Sequence, residues 1–125
     1  SMLCVEDAHD ALKWVRNIGG LQSTMKRSND NLRVVEEFVE SRDWIDFLAV
    51  EKENRSNTSV CLTLDASPEK VKAMCAMLDK HGAAYDVGSY RDAPAGLRIW
   101  CGATVETSDL ETLMPWIADA YNNVD

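Results

Sequence analysis

Ser89-Tyr90-Arg91-Asp92-Ala93-Pro94-Ala95-Gly96-Leu97-Arg98-Ile99-Trp100-Cys101-Gly102-Ala103-Thr104-Val105-Glu106 reads as a loop, a strand and a turn, and a helix starts directly after it at Thr107-Ser108-Asp109-Leu110-Glu111. Leu97, Ile99 and Cys101 alternate with Arg98 and Trp100, so a strand here sends the first three to one face and the other two to the opposite face. Arg98 then leaves the sheet toward a cleft rather than into the core. The competing reading is an arginine salt-bridged on an open face, since charged side chains are rarely buried. Pro94 and Gly96 place a turn between Arg91 and Arg98. Folded by that turn, both guanidinium groups can converge on one small dianionic ligand, because each planar fork matches carboxylate or phosphate.

Working outward, Val60, Leu62 and Leu64 alternate with Ser59, Cys61 and Thr63, which predicts a second one-sided strand. Ile45 to Val50 reads as a strand that begins the sheet, and Ala84 to Val87 as a short further one. Between them, Ser67 and Pro68 stand in the order N-cap then first helical residue. Val71, Met74, Cys75 and Leu78 form the stripe of the helix that follows, and Gly82 ends it. Ser108 and Glu111 have capping-box spacing at the head of the last helix, and Pro115 inside it predicts a kink or a break. At the other end, Val5, Ala8, Leu12 and Val15 make an amphipathic helix from Val5 to Ile18, closed by Gly19-Gly20. A longer helix from Leu21 to Ser41 follows. Two helices, then three or four strands in a mixed or antiparallel sheet covered by helices, indicate an α+β fold.

The 125 residues suit one domain, here residues 1–125, long enough to bury a core of its own. A net charge of −8 disfavours nucleic acid and anionic membrane as partners, while leaving room for a locally positive pocket. No apolar run has the length of a membrane span and no signal peptide opens the chain, so the expected location is cytoplasmic. Cys4, Cys61, Cys75 and Cys101 stand far apart with no Cys-x-x-Cys pair and no histidine cluster, so no metal site is expected. Cys61, Cys75 and Cys101 read instead as small core residues in a reducing compartment.

Tyr90 to Trp100, followed by Gly102-Ala103-Thr104-Val105-Glu106, resembles the C-terminal part of the bacterial-type phosphoserine aminotransferases, a family of class V aminotransferases dependent on pyridoxal 5'-phosphate. The resemblance reaches Arg55-Ser56-Asn57-Thr58-Ser59-Val60 and the opening Ser1-Met2-Leu3-Cys4-Val5-Glu6-Asp7, so it covers essentially the whole chain. It implies the small C-terminal domain of a fold type I enzyme whose large, cofactor-binding domain lies outside this chain. It also implies a small-molecule substrate, a homodimer when full-length, and a place in serine biosynthesis.

By that resemblance, Arg98 matches the arginine that grips the substrate α-carboxylate, and Arg91 matches one that helps hold the substrate phosphate. Tyr90 stands where many relatives carry histidine, with a phenol able to donate to phosphate. Trp100 is expected either to stack on Arg98 or to fill the domain boundary, and Arg55 to be a structural or a solvated loop residue. The chain itself is expected to hold no catalytic and no cofactor-binding residue, because Lys13, Lys26, Lys52, Lys70, Lys72 and Lys80 fall on predicted helix surfaces or in the polar loop. Alone it is expected to be inactive. Two other readings stay open: a sister class V aminotransferase with another amino donor, and a free-standing α+β ligand-binding or interaction domain.

Overall fold

The alternation around Arg98 becomes a sheet with one covered face. A computed structural model describes residues 1–124, with helices α1 (Met2–Asn17), α2 (Leu21–Glu40), α3 (Pro68–Lys80) and α4 (Thr107–Asn123) and strands β1 (Ile45–Phe47), β2 (Ser59–Leu64) and β3 (Gly96–Trp100). The strands lie in the order β1-β2-β3, both pairs antiparallel. Leu64 faces Ile45, Leu62 lies between Phe47 and Leu97, and Val60 faces Ile99. All of these are buried, and α2, α3 and α4 close over them with Val35, Met74, Leu78 and Ile117. Burying side chains of this size stabilises by about 1.5–3 kcal/mol each, so this face sets the register.

On the opposite face Ser59 pairs with Trp100, Cys61 with Arg98 and Thr63 with Gly96. Gly96 has a steric reason: a Cβ there would lie 1.9 Å from the carbonyl oxygen of Leu62.

The turn from β3 into α4 is held by α2. Asn31 is fully buried; its Nδ2 donates to the carbonyls of Cys101 (3.0 Å), Val105 (3.0 Å) and Gly102 (3.3 Å). Its Oδ1 accepts from the Thr107 hydroxyl at 2.8 Å. One turn earlier on α2, Arg27 donates to the carbonyl of Ala103 at 2.7 Å and pairs with Glu106 at 2.6 Å.

Several expectations change. Ala84 to Val87 forms no strand: Asp86 takes a left-handed backbone (φ 51°), and only an isolated bridge joins Gly88 to Leu97. The strand expected from Ile45 to Val50 stops at Phe47, where Arg55 ties back the following loop through the carbonyls of Ala49 (3.2 Å) and Val50 (3.4 Å). Arg55 also lies over the Phe47 ring, so its role is structural. The capping box at Ser108 and Glu111 is not used. Helix α4 starts at Thr107 with Glu106 in the N-cap position and no side-chain cap, so Ser108 already lies inside the first turn. Helix α4 also runs through Pro115 unbroken. Pro115 and Glu111 are both exposed, so water can satisfy the Glu111 carbonyl that a proline cannot reach.

Ser67 caps α3 as expected, accepting from the Lys70 backbone N–H at 3.1 Å, with Pro68 next. Helix α1 starts at Met2, earlier than expected, and buries no residue. Val5 and Leu12 of its apolar stripe face solvent.

Replacing Asn31 by alanine leaves the carbonyls of Cys101 and Val105 without their donor, while that of Gly102 keeps the Val105 N–H at 2.9 Å, at about 1–3 kcal/mol per unsatisfied group less what water restores. Asn31→Ala is expected to lower unfolding stability by roughly 3 kcal/mol in urea titration, with an unchanged slope. Asn31→Asp, of the same shape but without the donor, is expected to lose at least as much at neutral pH.

Candidate functional site

Arg98 leaves β3 on the face that no helix covers. The β2–β3 register sets Cys61 directly across from it, and Ser59 across from Trp100. The loop between α3 and β3 supplies the rest. Arg98 donates its backbone N–H to Val87 at 2.8 Å, which fixes the loop against the strand. Its Nη2 lies 3.0 Å from Asp86 Oδ2 and 3.3 Å from the Asp86 carbonyl oxygen. The Tyr90 ring lies 4.8 Å from the guanidinium carbon. Tyr90 Oη lies 3.4 Å from the Ser59 hydroxyl.

Ser59, Tyr85, Asp86, Val87, Arg98 and Trp100 line a recess of about 200 Å³. A larger recess, about 470 Å³, lies beside β1, but Glu40, Asp43, Asp46 and Asp65 line it together with Arg42 and Arg55. That excess of carboxylates repels an anion. The recess at Arg98 is therefore the candidate anion site.

The electrostatics agree with this choice. Hydrogen bonding to Ser59, then the Arg98 guanidinium, holds the Tyr90 phenol below its usual range. Tyr90 against the guanidinium, opposed by partial desolvation and reinforced by Asp86, raises Arg98, which stays a permanent cation. Burial pushes the Cys101 thiol up to about 12 and raises that of Cys75, so neither is a ready nucleophile. Among the described residues no three His, Cys, Asp or Glu side chains gather as a metal site.

Both readings of Arg98 meet here: it is salt-bridged, and it lines an open recess. Of the residues expected to act with it, the structure brings Tyr90 onto the guanidinium. Tyr90, not Trp100, takes the stacking position, because the loop folds the phenol over Arg98 while the Trp100 ring lies along Gly102 and stays 58% exposed. Arg91 sits in the exposed turn closed by the Ala93 N–H on the Tyr90 carbonyl. It does not line the recess and makes no hydrogen bond or ion pair among the described residues. No motif or periodicity marks Asp86, which lies in an irregular loop twelve residues from Arg98. Ser59 was legible only as a position on the outer face of β2.

No protein-family model matches the chain. The phosphoserine aminotransferase of Methanosarcina barkeri (strain Fusaro / DSM 804) is 56% identical over 124 residues, covering 99% of this chain and 34% of that protein. The phosphoserine aminotransferase of Methanosarcina mazei is 55% identical over the same length and shares. The chain therefore spans about a third of the length of the curated relatives it matches. Among solved structures, phosphoserine aminotransferase from Bacillus circulans subsp. alkalophilus superposes with a TM-score of 0.76 at 20% identity, covering 88% of this chain and 30% of that one. A structure described as radiation damage of the Schiff base in phosphoserine aminotransferase gives 0.75 at 19% identity, over 89% and 30%. These two carry the fold: four helices on a three-stranded antiparallel sheet. Along nearly its whole length the chain is similar in sequence to phosphoserine aminotransferases, about a third of whose length it spans.

Proposed function

We propose that the chain is the small C-terminal, substrate-recognising domain of a phosphoserine aminotransferase, which exchanges an amino group between glutamate and 3-phosphohydroxypyruvate in serine biosynthesis. The observation that carries this reading is the 56% identity over 99% of the chain. It is supported by an arginine recess on the one sheet face that the fold leaves open. In the full-length protein we place the reaction in the cytoplasm, in a homodimer whose large domain holds pyridoxal phosphate. The apolar stripe of α1 supports a larger assembly, since Val5 and Leu12 lack cover here.

Bound pyridoxal phosphate supplies the electron sink for amino transfer. The residues present here do not fit it by themselves. Lys13, Lys26, Lys52, Lys72 and Lys80 are exposed, and Lys70 lies over Tyr121 at 4.5 Å, on the helical side of the sheet. None lines the Arg98 recess. What this chain contributes is recognition. Arg98 pairs with the α-carboxylate, its plane braced by the Tyr90 ring. Arg91, exposed in the turn, pairs with the phosphate, to which Tyr90 donates its hydroxyl.

Removing Arg98 leaves the bound carboxylate desolvated without a partner, which costs about 2–5 kcal/mol. In the full-length enzyme, Arg98→Ala is expected to lower kcat/KM by roughly 30-fold to several thousand-fold, and Arg98→Lys to recover only part. Arg91→Ala is expected to penalise the phosphorylated substrate far more than hydroxypyruvate; equal losses remove its phosphate role.

The phenol of Tyr90 loses its proton at lower pH than an ordinary tyrosine, and the resulting phenolate repels phosphate. Steady-state kinetics are therefore expected to show KM for the phosphorylated substrate rising from below the usual phenol value of about 10. Tyr90→Phe is expected to flatten that alkaline limb.

A further inference from the structure

Guanidinium carries five N–H donors, yet among the described residues the hydrogen bonds of the Arg98 side chain run from Nη2 alone, both to Asp86. Nε is buried and has no acceptor. Asp86 is bound lopsidedly as well. Its backbone is anchored, because Arg98 Nη2 holds its carbonyl oxygen at 3.3 Å and the Val87 carbonyl next to it accepts from the Arg98 backbone N–H at 2.8 Å. Its carboxylate has one partner among the described residues, Arg98 Nη2, and the side chain is 91% exposed. The left-handed backbone at Asp86, a conformation that aspartate tolerates better than most residues, turns carbonyl and carboxylate onto the same nitrogen.

We propose that Asp86 is the resident counter-ion of Arg98, displaced by rotation of its carboxylate when a ligand carboxylate enters, and so sets the affinity of the recess for carboxylate anions. The inference rests on the carboxylate-binding reading of Arg98. Asp86 itself lines the recess, and two carboxylates on one edge of a guanidinium repel each other, so entry of one requires departure of the other. The exchange is cheap on the protein side. Ion pairs this exposed contribute little, which corresponds to about a two- to five-fold weakening of ligand binding by the resident carboxylate. The backbone contacts at Asp86 and Val87 survive the rotation, so the loop keeps its place while the side chain moves.

The test follows the Arg98 Nε–H resonance, assigned with Arg98→Met, in the full 125-residue chain titrated with acetate at ionic strength held constant with sodium chloride. Acetate is expected to shift this resonance, and both Asp86→Asn and Asp86→Gly are expected to lower the half-saturating concentration about two- to five-fold. Half-saturation at the same or a higher concentration in both variants overturns the exchange and makes Asp86 a brace, leaving the carboxylate role of Arg98 intact. Absence of any acetate-dependent shift in the parent and both variants overturns both.

Discussion

The amide of Asn31 holds this structure at its least regular point. Between the end of β3 and the start of α4 the chain runs through Cys101 to Glu106 with carbonyls turned inward, and a buried carbonyl without a donor costs as much as a lost hydrogen bond. Asn31 reaches three of them from α2 and takes the Thr107 hydroxyl in return. Arg27 covers the next carbonyl and the Glu106 carboxylate. Because β3 enters this turn directly, the clamp fixes where the strand ends. It also fixes α4 against α2, and with it the lid of the core over Leu97 and Ile99.

That core is the reason Arg98 is available. Helices cover one face of the sheet, and the antiparallel register forces every second residue of β2 and β3 to the other. A strand with both faces buried would have required apolar residues throughout. Here the outer face carries hydroxyls, a thiol, a guanidinium and an indole. The guanidinium is stiffened by Tyr90 on its plane and Asp86 on its edge. An arginine held this way loses little freedom on pairing with an anion, the condition under which its fork recognises best.

The surface has a second uncovered region, of different character. Helix α1 projects with Met2, Leu3, Val5 and Leu12 exposed, and its contacts within the fold run to α2 near Trp14 and Arg27.

Strict alternation in β2 and β3 and the Ser67-Pro68 start and apolar stripe of α3 were legible because each depends on neighbours within a few residues. The same holds for Arg98 facing away from the core. Contacts across longer separations were not legible in that way. Asn31 reads as one polar residue in a helix until the turn at residues 101–107 folds onto it. Trp100 was the residue expected to stack on Arg98 until the loop conformation put Tyr90 there. Asp86 became the counter-ion through a left-handed backbone that no periodicity announces, and Pro115 broke nothing because it faces water. The sequence by itself determined the α+β class, the core face and the direction of Arg98, since period and volume are local properties. Only the tertiary structure decided which groups meet Arg98, because a loop's path is set by the surfaces it closes over.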